Sequence, residues 1–147
     1  MSKLKPLTKP CAAALLLMVL SAVSFAQPMA FDDVRSKAEP LSAESAQSLV
    51  KGSHVEFRLV GGSVRRWTHE DDGTFIASST VAGGPVNGTA RGTWKISEKG
   101  EYCVTFNWTY AGNESWCRFL YPVEDRYYAF NALATKGTRS GAYYFKK

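Results

Sequence analysis

Apolar and polar residues alternate along most of the chain after Gly52, which is the pattern of β-strands that bury one face. The alternation is clearest within residues 88–117. There Trp94 and Ile96, and then every second residue over 102–110, are apolar. Short glycine-containing turns separate these runs from each other and from the next one. The stretch therefore predicts three consecutive antiparallel strands.

The same signals predict eight strands in the C-terminal part of the chain, joined by short turns. No helical pattern interrupts them. We therefore expect a mainly β fold in which an antiparallel meander closes into a small, lipocalin-like barrel and leaves no exposed edge. A two-layer β-sandwich is the alternative for the same strand count. The predicted strands cover residues 53–60, 63–70, 74–81, 89–97, 101–110, 114–121, 126–132 and 141–146.

One short amphipathic helix is predicted ahead of the sheet, between Leu41 and Lys51. Ser42 can cap its N-terminus and Gly52 ends it, so we expect a lid over one end or face of the sheet. The preceding residues 27–40 contain prolines and mixed charges without a period, which predicts a flexible lead-in. The apolar stripe of the helix consists of Leu41, Ala46, Leu49 and Val50.

The N-terminal residues 1–26 have the organisation of a secretory signal peptide. Three lysines precede an apolar run over 11–25, and small residues at Ser24 and Ala26 form a cleavage site. The run is too short to span a bilayer comfortably, so we expect cleavage after Ala26 and no stable membrane anchor afterwards. Cys11 lies at the beginning of the apolar run, whereas lipid attachment in a lipoprotein requires a cysteine at the end of that run. These features predict a periplasmic or secreted bacterial protein.

The net charge of the chain, +5, comes partly from this N-terminal segment. The segment holds three of the 18 Lys and Arg residues and none of the 13 Asp and Glu residues, so residues 27–147 have a net charge of only +2. No run of basic residues remains, and nucleic-acid binding is not expected.

Two cysteines, Cys103 and Cys117, lie beyond the predicted cleavage site. They lie on the two strands of one predicted hairpin, at positions that face the same side of the sheet. This placement favours a disulfide in an oxidising compartment. Two unpaired buried thiols are the alternative. A metal site at the cysteines is not expected, because neither has a second Cys or a His at ligand spacing.

The turn at Gly61 and Gly62 sets the register of the first predicted hairpin. A two-residue turn there places Arg58 opposite Arg65 and His54 opposite His69. The two histidines would then lie close enough to share a metal with Glu70 or Asp71, although such histidines more commonly titrate in solvent. The two arginines would repel each other unless Glu56, solvent or a bound anion lay between them.

No catalytic motif is present, and no cofactor is expected. There is no Ser in a nucleophile-elbow context, and no acid/base pair lies at motif spacing. Because alternate residues of a strand face the same side, most aromatic residues of the predicted strands are expected to face the core. The predicted core includes Phe57, Trp94, Phe106 and Trp108.

Alternate connections of a meander fall at the same end, so the longer, glycine-containing loops are predicted to lie together. The turns of the opposite end are acidic. We therefore expect a small anionic molecule or an acidic protein surface to bind at the loop-rich end. The predicted ligand-binding residues at this end are Arg58, Arg65, Arg139 and Tyr110.

A set of short motifs resembles a family of secreted bacterial proteins known as domain of unknown function 995. The resemblance covers about residues 41–147 and implies a small exported β-protein without an assigned activity. It also implies that the two cysteines pair, and it transfers no functional residue. The motifs are Gly92-x-Trp94-x-Ile96, Gly100-x-x-Cys103, Trp108, Cys117-Arg118 and Tyr143-Tyr144-Phe145.

These observations predict a noncatalytic binding module for a small or anionic ligand. The alternative is a periplasmic inhibitor or immunity-type protein that plugs a partner enzyme. It rests on Ser140-Gly141-Ala142-Tyr143-Tyr144, which is similar to the Ser-Gly-x-Lys-Tyr loop of periplasmic inhibitors of C-type lysozyme. Tyr143 stands where that loop has its lysine.

Overall fold

Eight antiparallel strands close into a barrel in the computed structural model, which describes residues 27–81, 84 and 86–147. The predicted signal peptide and its cleavage site lie outside the described residues. The barrel is confirmed over the sandwich, and each predicted strand is present with slightly different ends. The barrel strands are β2 (His54–Arg58), β3 (Val64–His69), β4 (Thr74–Thr80), β5 (Val86–Ile96), β6 (Tyr102–Trp108), β7 (Gly112–Val123), β8 (Arg126–Phe130) and β10 (Ala142–Lys146).

Strand order follows the chain, and β10 closes the barrel by pairing with both β2 and β8. Because successive strands reverse direction, the connections that follow β2, β4, β6 and β8 lie at one end, which we call the open end. The tight turns after β3, β5 and β7 lie at the opposite, capped end. This arrangement agrees with the predicted grouping of the loops.

The lead-in 27–40, predicted to be flexible, instead contains β1 (Met29–Ala30) and α1 (Phe31–Arg35). β1 pairs with β9 (Arg139–Ser140) outside the barrel. The side chain of Val34 is fully buried in a second core on the outer face of β7, β8 and β10. This burial explains the ordered structure, and a five-residue helix is too short to produce a periodic signal. Apolar side chains from the barrel wall complete the second core, among them Tyr121, Val123, Tyr128 and Phe130.

The predicted helix is confirmed as α2 (Ala43–Val50), which covers the capped end. The Oγ atom of Ser42 accepts a hydrogen bond from the backbone N–H of Ser45 at 3.2 Å, as an N-cap residue should. The turn at Gly100 packs against the start of the helix, and Gly100 has a φ of +89°, which favours glycine. Among the described residues, no helix is both long and apolar enough to cross a membrane.

The register of the first hairpin differs from the prediction by one residue. The backbone N–H of Leu59 donates to the carbonyl of Ser63 at 2.9 Å, which leaves a three-residue loop with Gly62 at a φ of +85°. Phe57 therefore pairs with Arg65, and His54 with Thr68. Because a one-residue shift exchanges the two faces of a strand, Arg65 and His69 point into the barrel instead of outward.

Aromatic side chains fill the barrel toward the capped end. Phe106 contacts Trp67 at 5.4 Å and Phe75 at 4.9 Å between ring centroids. A Cβ atom on Gly92 would overlap the Phe75 ring, so the absence of a side chain there allows the close packing. Of the four predicted core residues, Phe57, Trp94 and Phe106 are buried, whereas Trp108 is only partly buried at the open end.

The Cys103–Cys117 disulfide is present. The two residues are directly opposite each other on β6 and β7, with 4.0 Å between their Cα atoms. Their neighbours Tyr102 and Val104 are buried in the barrel, so the disulfide lies on its outer face. It ties together two strands that both contribute to the open end.

Candidate ligand site at the open end of the barrel

A pocket of about 210 Å³ opens between the ends of β3, β4, β5, β6 and β7. The strands determine its composition, because each contributes inward-facing residues at the point where it reaches the open end. Its main side chains are those of Arg65, Ser79, Asn87, Trp108, Tyr110 and Glu114.

Arg65 and Glu114 form an ion pair across the pocket. The Nη1 atom of Arg65 donates to both carboxylate oxygens of Glu114, at 3.0 and 2.9 Å. The carboxylate also accepts a hydrogen bond from the indole N–H of Trp108 at 3.2 Å. The Arg65 guanidinium lies 4.8 Å from the centre of the Trp108 ring, within cation–π distance. The three side chains thus hold one another in position.

Two opposing effects act on the pKa of Glu114. Partial burial favours the neutral acid and raises the pKa, whereas the hydrogen bonds and charge of Arg65, with the Trp108 N–H, favour the carboxylate. The net result is a pKa below the usual value of 4.5. Glu114 is therefore ionised at neutral pH, and it neutralises Arg65.

One donor of Arg65 has no acceptor among the described residues. Its Nε atom is buried and makes no hydrogen bond. A buried donor without a partner is costly, so an acceptor oxygen that reached this N–H would be stabilised there. The guanidinium therefore retains hydrogen-bonding capacity despite its pairing with Glu114.

Arg58 lies outside the pocket, contrary to its predicted position opposite Arg65. It is on the outer face of the barrel, where Arg58 and Arg66 both donate to Glu56, at 2.8 and 3.0 Å. Burial raises the pKa of Glu56, but the two arginines outweigh it and lower the pKa overall. Glu56 is thus the partner of Arg58, as predicted. The second arginine at Glu56 is Arg66 and not Arg65.

The other two predicted ligand residues occupy different positions. Tyr110 lines the pocket, and its side chain is almost fully exposed on the loop after β6. Arg139 is an exposed residue of β9, outside the barrel wall. Of the four predicted residues, the structure therefore brings together Arg65 and Tyr110.

The two histidines do not face each other, so the predicted pairing of His54 with His69 as metal ligands is wrong. His54 is exposed, with its Nδ1 atom 2.9 Å from the Thr68 hydroxyl. His69 is buried inside the barrel, and no group of three or more potential metal ligands occurs in the described part of the chain.

His69 belongs to a buried hydrogen-bond network near the capped end. Its Nε2 atom accepts from the Trp67 indole N–H at 3.0 Å and lies 2.7 Å from the Tyr102 hydroxyl. This assigns the ring proton to Nδ1, which lies 3.2 Å from the carbonyl of Ser53. Burial lowers the pKa of His69 to about 4, so the ring is neutral and structural at neutral pH.

The segment that is similar to the lysozyme-inhibitor loop leads from β9 into the barrel strand β10. Ser140 is buried, and its hydroxyl accepts from the backbone N–H of Ala129 at 3.1 Å. Tyr143 is fully buried and stacks on Phe57. The side chains of Ser140 and Tyr143 are therefore not available on the protein surface.

Glu114 and Trp108, the two residues that contact Arg65 in the pocket, were not assigned to ligand binding from the sequence. The alternation along β7 could have indicated Glu114, because it lies an even number of residues from Trp116 and Leu120 and therefore faces the interior with them. A carboxylate at an inward position of a barrel strand needs a cation, and Arg65 supplies it.

The fold and pocket define a class of protein: a closed eight-stranded β-barrel, covered by a helix at one end and open at the other. Residues 14–120 match the family model described as Protein of unknown function (DUF995). The match covers most of the chain, and the protein therefore belongs to this family. No curated protein and no solved structure matches the chain.

Proposed function

We propose that this protein is a noncatalytic binding module that holds one small polar ligand in the open-end pocket. The observation that carries the proposal is the inward-facing Arg65–Glu114 pair beside the Trp108 ring. Such a pair offers donors and acceptors next to an aromatic surface, and ligand pockets characteristically combine these features. The pocket is smaller than the usual range for drug-sized ligands, which favours a single ring.

The pocket favours a neutral ligand over the anion that the sequence suggests. The charged residues among its lining are Arg65 and Glu114, and they compensate each other. A neutral molecule with several hydroxyl groups, such as a monosaccharide, can donate to the Glu114 carboxylate, whose side chain is 37% exposed. It can also stack on the exposed ring of Tyr110.

The chemistry of the lining supports binding without catalysis. Glu114 is the carboxylate of the pocket, and its lowered pKa and its pairing with Arg65 make it a poor proton donor. His69 belongs to the buried network near the capped end, away from the pocket lining.

The test is calorimetric titration with neutral monosaccharides and their uronate counterparts, for example glucose with glucuronate. Binding of a neutral sugar that exceeds binding of its uronate supports the proposal. Tyr110→Ala should weaken this binding, because it removes the stacking ring. It should leave the melting temperature unchanged, because the side chain is 91% exposed. Leu133→Ala, another exposed residue of an open-end loop, is the matched control and should bind normally.

Two results would contradict this proposal. The first is preferential binding of the uronates, which would support the anionic ligand expected from the sequence. The second is equal affinity of the Tyr110→Ala variant and the wild type, which would place any sugar site elsewhere.

A further inference from the structure

The open end carries a ring of exposed apolar side chains, which we call the rim. Five large apolar residues are exposed among the described residues, and four of them lie on the open-end connections. Each of the four connections contributes one. The rim consists of Val60 after β2, Val81 after β4, Tyr110 after β6 and Leu133 after β8.

These side chains are strongly exposed, since Leu133 is 86% and Val60 is 56% accessible. Exposed apolar residues scattered singly over a surface require no explanation, but four on one end of a barrel do. The fifth exposed residue, Ile76, lies on the side wall in β4.

The charges around the rim favour contact with a negatively charged surface. Residues 59–63, 109–111 and 131–138 contain no Asp or Glu, whereas Lys136 and Arg139 lie in or beside the last of these segments. One carboxylate approaches the segment 131–138, since an Asp32 oxygen accepts from the backbone N–H of Gly137 at 3.4 Å. The turns of the capped end carry most of the acidic turn residues, namely Asp71, Asp72, Glu98, Glu124 and Asp125.

We propose that the rim docks onto an anionic lipid surface, with Val60, Tyr110 and Leu133 entering the headgroup region. Single apolar tips on separate loops suit a fluid interface, which closes around each tip. A protein partner instead requires a continuous, well-packed patch. Tyrosine is favoured at lipid interfaces because its ring is apolar and its hydroxyl can remain in water. Lys136 and Arg139 supply the attraction to anionic headgroups.

Tyr110 is shared with the pocket described above, whereas Val60 and Leu133 do not line it. Variants of these two residues therefore test the rim separately from the ligand. The orientation would nevertheless place the pocket mouth at the lipid surface. A ligand could then enter from the headgroup layer.

The experiment is co-sedimentation with vesicles of phosphatidylglycerol and phosphatidylethanolamine, compared with vesicles of phosphatidylcholine alone. The full chain is expressed with its own N-terminal segment, and its mass establishes whether residues 1–26 are still attached. That segment is identical in every variant. Val60→Ser and Leu133→Ser should each lower the affinity for the anionic vesicles roughly tenfold, as expected for one partly buried apolar side chain. Ile76→Ser, the same kind of change at an exposed position on the side wall, should have no effect.

Hydrogen exchange locates the contact independently of the N-terminal segment. Anionic vesicles should slow exchange in residues 59–63, 109–111 and 131–138 and leave the turns at 71–73 and 98–100 unchanged. Protection of the capped end, equal losses in the Ile76→Ser variant, or no protection at the rim would each overturn the proposal. So would a protein partner that binds through Val60 and Leu133 in the absence of any vesicle binding.

Discussion

Replacing Glu114 by glutamine removes one charge of the central ion pair and keeps the shape and an acceptor oxygen. Breaking a fully buried pair costs about 3–5 kcal/mol, whereas an exposed pair contributes about 0–1 kcal/mol. The side chains of Arg65 and Glu114 are 20% and 37% exposed, so solvent screening reduces the cost considerably. We expect Glu114→Gln to lower the free energy of unfolding by about 1–2 kcal/mol.

The pH dependence of this difference has a defined sign. The pKa of Glu114 is lower in the folded protein than its usual value of 4.5, so folding favours the carboxylate. The stabilisation from the charge is fully present above that usual value and is lost as pH falls through the lower, folded-state pKa. The glutamine variant has no such group. Its deficit should therefore be largest near neutral pH and disappear under acidic conditions.

Urea unfolding of the wild type, Glu114→Gln, Arg65→Met and the double variant measures the coupling directly. The two single changes should be less than additive, because each removes the same pair. Glu98→Gln makes the same chemical change at an exposed residue and serves as the control. A coupling energy near zero, or a deficit that grows on acidification, would refute the assignment of Arg65 and Glu114 as an ion pair that stabilises the folded protein.

Three further predictions concern the rest of the barrel. Cys117→Ala should lower stability by about 2–5 kcal/mol, because Cys103 and Cys117 then no longer restrict the unfolded chain; an unchanged urea midpoint would contradict this. Phe106→Ala should cost about 3–5 kcal/mol and Trp108→Ala clearly less, because the first side chain is fully buried and the second only partly. Thermal unfolding that ranks them in the opposite order would show that the burial at the open end is misassigned. The NMR signals of His69 should titrate near pH 4, and stability should fall as pH decreases from 6.5 toward that value. Titration near 6.5 would mean that water reaches the ring.

Strand alternation was sufficient to predict the eight strands and their antiparallel order, but it left a sandwich as the alternative to the closed barrel. The eight strands are recognisable because each has one face in the core, and the short turns allow few topologies other than a meander. The helix Ala43–Val50 was predictable from its N-cap and its apolar stripe. The helix Phe31–Arg35 was not, because its stability comes from Val34 contacting strands that are distant in sequence.

The candidate site was only partly predictable, because one turn determines which way Arg65 points. The dipeptide Gly61-Gly62 is compatible with either a two-residue or a three-residue loop, and the two choices place Arg65 on opposite faces. Glu114 lies 49 residues away in sequence. No local spacing relates two such residues, so their pairing required the closed barrel.

The most direct test of the proposed site is NMR observation of the Arg65 Nε–H and Trp108 indole N–H signals during titration with neutral monosaccharides. The Arg65 signal is informative because this N–H has no acceptor among the described residues. The proposed function predicts that one sugar shifts both signals together, with the same saturation curve, and that Glu114→Gln weakens the response. Shifts confined to the capped end, or saturation that leaves both signals unmoved, would show that the ligand does not bind at the open end of the barrel.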